Sequence, residues 1–201
     1  MRCLLFFLRW RPGREWSAVL LLLPLLCAAP AVRGQALPLD EQGRVRFLAV
    51  VPADSLGPDT LYAHAKAWLR RRGYTLATAD SAAGRLVAHH AVGVYDRGYL
   101  TRRLHGRVRY QLTVEVKPGR YRLQFYDFVF HYYQEDHASH LVPTGKTKPL
   151  EDATAPGWQK LWESHRQDTR QAVAALTAEL RPAMLAKPAP PAPVPRPAAD
   201  W

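Results

Sequence analysis

Gly106 to Phe128 reads GRVRYQLTVEVKPGRYRLQFYDF, two runs alternating between apolar and polar residues around Lys117-Pro118-Gly119-Arg120. Pro118 followed by Gly119 suits a type II turn, in which the third position needs a positive φ. If Lys117 opposes Arg120, then Val116 faces Tyr121, Val114 faces Leu123 and Leu112 faces Phe125, all on one side. The other side pairs Glu115 with Arg122 and Thr113 with Gln124. A one-residue slip would set Val116 against Arg120 and mix the two faces, so the pattern selects its own register. The stretch is therefore a two-faced antiparallel hairpin. Its cross-strand Glu115–Arg122 pair is worth roughly a few tenths of a kcal/mol.

Further elements extend from the hairpin in both directions. Arg107 to Val116 and Tyr121 to Tyr133 are its strands, preceded by Tyr74 to Asp80 and Arg85 to Tyr95, with a looser stretch from Asp96 to Gly106. Arg44 to Val51 is a first strand. Between it and the rest, Asp59 to Arg72 carries Leu61, Ala65, Trp68 and Leu69 at helical spacing. Asp59 suits the positive end of that helix. Arg70, Arg71 and Arg72 suit its negative end, and Gly73 suits a left-handed cap, so termination explains the arginine triplet without a ligand. After a polar loop, Gln134 to Pro156, a second helix is predicted from Gly157 to Leu180, with Pro182 ending it. Its apolar stripe is Trp158, Leu161, Trp162, His165, Ala172, Val173, Leu176 and Leu180.

The order strand, helix, four strands, long helix implies an α+β domain. A single antiparallel sheet has its helices packed on one face and leaves the other open. Trp68, Trp162, Leu112 and Val114 are expected in the core between them. Inside the last strand the alternation shifts from Tyr121/Leu123/Phe125 to Phe128/Phe130. This predicts a bulge at Asp127, whose carboxylate would bond backbone amides.

The ends read differently. Arg2, Arg9, Arg11 and Arg14 precede a 12-residue apolar run from Ala18 to Ala29. That is too short to span a bilayer and fits a signal peptide, with Ala29-Pro30-Ala31 and Gly34-Gln35-Ala36 as cleavage sites. Residues 1–36 are accordingly expected to be a signal peptide, 37–185 the folded domain, and 186–201 a Pro/Ala-rich disordered tail. Export through the Sec pathway to the periplasm or cell envelope follows, with no transmembrane span after cleavage. Cys3 and Cys27 both lie within the leader, which leaves the mature chain without cysteine and so without disulfides or thiol chemistry. Leu26 is too large for a lipobox ahead of Cys27.

The 201 residues are 48% apolar and 22% charged, which excludes a collagen, a wholly disordered chain and a polytopic membrane protein. Of 28 Lys+Arg and 17 Asp+Glu, five arginines and Glu15 belong to residues 1–36. The mature chain keeps a net charge of +7. An exported basic protein meets anionic lipid, acidic polysaccharide or another envelope protein, and not nucleic acid.

The opening LPLDEQGRVRFLAVV, the helix LYAHAKAWL and the hairpin block resemble a family of exported bacterial proteins, domain of unknown function 4468, described as having a TBP-like fold. The likeness spans Leu37 to Phe130. Its strongest element is V-K-P-G-R-Y-R, where relatives read K-D-G-R-Y-R, and Pro118 preserves the turn. The resemblance implies the fold. It implies no activity, no site residues and no cofactor, and a TBP-like sheet does not imply DNA binding.

Three histidines, His131, His137 and His140, with Glu135 and Asp136 between them, are the candidates for a metal or for a hydrolytic site in the 131–140 loop. No H-E-x-x-H spacing, nucleophile elbow or phosphate-binding loop occurs. His89 and His90 are adjacent in a strand and must point to opposite faces. The polar side of the hairpin gathers Arg107, Arg109 and Arg122 with Gln111, Gln124 and Tyr126, a platform for phosphate or carboxylate groups. The sequence thus favours a non-catalytic exported envelope protein acting as an interaction module. A metal-dependent or hydrolytic enzyme is the alternative, and a binder of anionic lipid or polysaccharide a third reading.

Overall fold

A computed structural model describes residues 36–97, 102–154 and 158–186. The expected signal peptide and tail fall outside these residues, apart from Ala36 and Ala186 at their borders. The elements in chain order are β1 (Phe47–Pro52), α1 (Pro58–Arg71), β2 (Thr75–Asp80), β3 (Arg85–Arg97), β4 (Arg102–Lys117), β5 (Arg120–Glu135), β6 (Leu141–Pro149) and α2 (Gln159–Leu185). All the strands join one antiparallel sheet, ordered β1-β5-β4-β3-β2, with β6 also paired to β5.

The hairpin has the register its alternation dictates. Val116 pairs with Tyr121, Val114 with Leu123, Leu112 with Phe125, and Glu115 with Arg122. Gly119 takes φ 73°, the positive value that the third turn position requires. β1 and β6 then lie end to end along the far edge of β5. β1 pairs with residues 120–125 and β6 with residues 129–135.

Asp127 sits where one edge partner gives way to the other. Gln111 pairs with Tyr126 and Arg109 with Val129, so Asp127 and Phe128 together oppose Tyr110. This is the expected bulge, with Asp127 at φ 58°. Its carboxylate does not cap backbone amides. Oδ2 instead accepts from Gln111 Nε2 at 2.7 Å, because the left-handed backbone turns the side chain toward the neighbouring strand.

Leu86, Ala88, Val108, Tyr110, Leu112, Val114, Tyr121, Leu123, Phe125, Phe128 and Phe130 are buried on one face of the sheet. The two helices cover that face. α1 buries Leu61, Ala65, Trp68 and Leu69, the stripe read from its spacing, and α2 buries Trp162, His165, Thr169, Val173, Leu176 and Leu180. Trp68, Trp162, Leu112 and Val114 are all core residues. Arg72 reaches across to Glu179 at 3.0 Å and joins the end of α1 to α2.

Four features differ from the sequence reading. β6 forms inside the expected polar loop, where Pro143, Gly145 and Pro149 hide it; an edge strand tolerates such residues because one side of its backbone needs no partner. β3 and β4 extend into the looser stretch, to Arg97 and from Arg102, because their mutual pairing supplies the hydrogen bonds that the weak alternation does not advertise. Pro182 stays inside α2, which continues to Leu185 and buries Met184. At the other end Trp158 precedes the helix and is 75% exposed, so it does not join the stripe.

Candidate functional site: the open face of the sheet

The face away from the helices is organised in cross-strand rows. One row runs Gly93, Arg107, His131, Thr147; the next Ala91, Arg109, Val129; the next His89, Gln111, Tyr126. Farther along come Val87, Thr113, Gln124, Leu48 and then Arg85, Glu115, Arg122, Val50. Ala91 lifts almost no side chain above the sheet, whereas the space above Gly93 is taken by Leu104 and Tyr95. The surface sinks around Ala91 into a depression of about 560 Å³, lined by His89, Arg109, Gln111, Asp127 and His131 among others.

A chain of hydrogen bonds sets one wall. Thr113 Oγ1 donates to Tyr126 Oη at 3.4 Å, Tyr126 Oη donates to Gln111 Oε1 at 3.2 Å, and Gln111 Nε2 donates to Asp127. Tyr126 lies over Thr113, which is 3% exposed on a face otherwise open to solvent. The chain pins the Asp127 carboxylate and leaves the exposed Arg109 without a carboxylate partner among the described residues. Burial, and next the Arg109 cation, push the His131 imidazole below its usual range. The depression thus holds an available cation, a neutral imidazole and a fixed carboxylate. It can receive an anionic or strongly hydrogen-bonding group.

The structure separates the arginines that the sequence grouped. Arg109 lines the depression. Arg107 lies one row away, its guanidinium 5.6 Å from the Tyr133 ring centroid. Arg122 is bound to Glu115 and sits in a separate, smaller hollow with Val50, Lys117 and Arg120. Arg107 and Glu115 are eight residues apart on β4, about 27 Å at strand rise. One small ligand cannot touch both Arg107 and Arg122. Tyr126 faces the depression's wall through Gln111 and does not stand as a free platform.

The histidines are likewise dispersed. His131 is on β5 in the depression. His137 and His140 are exposed in the tight turn to β6, which Asp136 builds by accepting from the backbone N–H groups of Ala138 and His140. Six residues of strand and turn separate His131 from His137, on the order of 20 Å if extended. Among the described residues no three His, Cys, Asp or Glu side chains are grouped to hold a metal ion. His89 is exposed on the open face, whereas His90 is half-buried on the covered side and stacks on Tyr74, with centroids 4.4 Å apart. Sequence reasoning passed over His89, and it read Gln111 without Asp127. Only the pairing of three strands around a small-residue gap brings them together.

Residues 47–131 match the family model of a domain of unknown function (DUF4468) with TBP-like fold. Over these residues the chain is similar to that family. Two solved structures share its architecture. A TBP-like protein from Parabacteroides distasonis is 15% identical, with a TM-score of 0.56, over 73% of this chain and 96% of that one. A DUF4468 family protein from Bacteroides ovatus is 18% identical, with a TM-score of 0.51, over 80% of this chain and 94% of that one. No curated protein matches. At these identities the likeness establishes the fold alone. The matched segment ends at His131, so β6 and α2 complete the sheet and its cover from outside it. Among the described residues no helix is long and apolar enough to cross a membrane.

Proposed function

We propose that the chain is an exported, non-catalytic interaction module of the cell envelope. Its open sheet face receives an anionic group of an envelope component at Arg109. The observation that carries this reading is an exposed guanidinium with no carboxylate partner among the described residues, set in a depression whose one carboxylate is held by Gln111. The leader-like residues 1–36 and the net positive charge of the remaining chain support the location and the sign of the ligand.

The shared ligand chemistry is a phosphate or carboxylate group, on a lipid or on a polysaccharide. Cosedimentation with phosphatidylglycerol vesicles, against neutral phosphatidylcholine vesicles, tests the first source. Retention on immobilised polygalacturonate tests the second. The reading expects binding in one arm and its loss in Arg109→Gln. Equal behaviour of wild type and Arg109→Gln in both arms overturns it. N-terminal sequencing of the secreted product should begin between Val32 and Leu37; a start at Met1 removes export.

A further inference from the structure

On the covered side of the sheet, His165 of α2 meets His105 of β4, a pair unconnected with the open face. His105 Nδ1 and His165 Nε2 are 2.7 Å apart. Both rings stack on Phe130, with centroids 5.8 Å and 5.3 Å from its own. His165 is 1% exposed, and its second ring nitrogen, Nδ1, is buried with no hydrogen-bond partner.

Counting protons shows what this geometry permits. A neutral pair carries two ring hydrogens on four nitrogens. One hydrogen bridges Nε2 of His165 to Nδ1 of His105, and the other can sit on the outer nitrogen of the half-buried His105. His165 Nδ1 is then a bare acceptor. Adding one proton fills both outer nitrogens, whichever ring is called charged. Nδ1 of His165 must then carry a hydrogen in an apolar site with nothing to accept it, so the buried group is both charged and unsatisfied.

The pair is one of several ties on the N-terminal half of α2. Trp162, one turn earlier, packs edge-on to Phe130 with centroids 5.8 Å apart, and its Nε1 donates to the Asp152 carbonyl at 2.7 Å. Several charged or titratable groups face the pair among the described residues. Asp168 from α2 and Asp96 from β3 favour a proton. Tyr132 from β5 lies edge-on to His105. From β6, Lys148 lies over the Trp162 ring and pairs with Asp152 at 3.2 Å. Burial, with His105 acting in the same direction, outweighs the two carboxylates and brings His165 down to about 4.

We infer that the His105–His165 pair is a proton-operated latch, holding the N-terminal half of α2 on the sheet while neutral and releasing it on protonation. The released His165 regains the ordinary value of 6.5. The docked form therefore binds fewer protons, and its stability is complete above that pH and falls as acid is added. Linkage makes opening about tenfold easier at pH 5.5 and about a hundredfold easier at pH 4 than at pH 7.5.

Hydrogen–deuterium exchange of the full-length protein, corrected for the intrinsic rate at each pH, reads this directly. Protection of residues 159–170 should fall by these factors between pH 7.5 and pH 4, while residues 112–125 of the hairpin keep theirs. In His165→Gln, whose amide still donates to His105 but does not titrate, the profile for 159–170 should be flat. His165→Phe serves the same purpose if the glutamine variant loses native circular dichroism at pH 7.5. Unchanged wild-type protection down to pH 4, an equal fall in the variant, or a fall of helix and hairpin together would each overturn the latch.

Discussion

The ring of Phe130 lies directly over Gly106 on the neighbouring strand. A Cβ on Gly106 would fall against that ring and only 2.5 Å from the His131 carbonyl oxygen. This glycine is thus a matter of space, not of backbone freedom, and it lets Phe130 meet both His105 and His165. Gly106→Ala should destabilise the fold by roughly 1–3 kcal/mol through overpacking. Urea unfolding checks it, and a midpoint equal to wild type would place the Phe130 ring elsewhere.

Leu112 and Leu48 test the two faces against each other. Leu112 is fully buried in mid-sheet, whereas Leu48 is 60% exposed on the open side of β1. Leu112→Ala should cost roughly 2–5 kcal/mol, from lost burial plus the cavity left behind. Leu48→Ala should stay within about 0.5 kcal/mol. A loss below 1 kcal/mol for the first would mean that the faces are reversed.

Asp127 provides a backbone test. At φ 58° it occupies a conformation that aspartate tolerates and a β-branched residue does not. Asp127→Gly should leave stability within about 1 kcal/mol, since easier backbone geometry offsets the lost Gln111 bond and the looser unfolded chain. Asp127→Val should cost roughly 1–3 kcal/mol. Thermal unfolding of the two variants decides, and equal midpoints would remove the bulge geometry.

What the sequence disclosed follows from how each element is encoded. The β4–β5 hairpin was legible to the residue pair because Val116, Val114 and Leu112 can match Tyr121, Leu123 and Phe125 in one way only. α1 was legible because its stripe, acid start and basic end agree. β6 was not, because an exposed edge strand needs no alternation, and its pairing with β5, Lys148 and the Thr144 hydroxyl on the Tyr132 carbonyl hold it. The site was legible in part. Alternation placed Arg107, Arg109 and Arg122 on one face, yet it says nothing of distance along that face or of the shallow floor at Ala91. The His105–His165 contact joins residues 60 apart in the chain, from a bulged strand position and a helix stripe, and no local pattern predicts that meeting.

The separation of Arg109 from Arg122 gives the last prediction, on the anionic ligand. Arg122 is neutralised by Glu115, with Arg85 also 4.0 Å from that carboxylate, whereas Arg109 has no carboxylate at ion-pair distance among the described residues. Binding to phosphatidylglycerol vesicles or polygalacturonate should therefore drop in Arg109→Gln and change little in Arg122→Gln. Added salt should reproduce the Arg109 effect, because exposed charges are screened over about 8 Å at physiological ionic strength. Arg70→Gln, which removes the same single charge from an exposed position at the end of α1, is the matched control for net charge. Charge reversal of Arg70, Arg71 and Arg72 together removes the Arg72–Glu179 tie and opposes the dipole at the end of α1, so it should lower the unfolding midpoint. If Arg70→Gln weakens binding as much as Arg109→Gln, net charge and not the depression attracts the ligand. If Arg122→Gln weakens binding as strongly as Arg109→Gln, the whole sheet face, not the depression, is the binding surface.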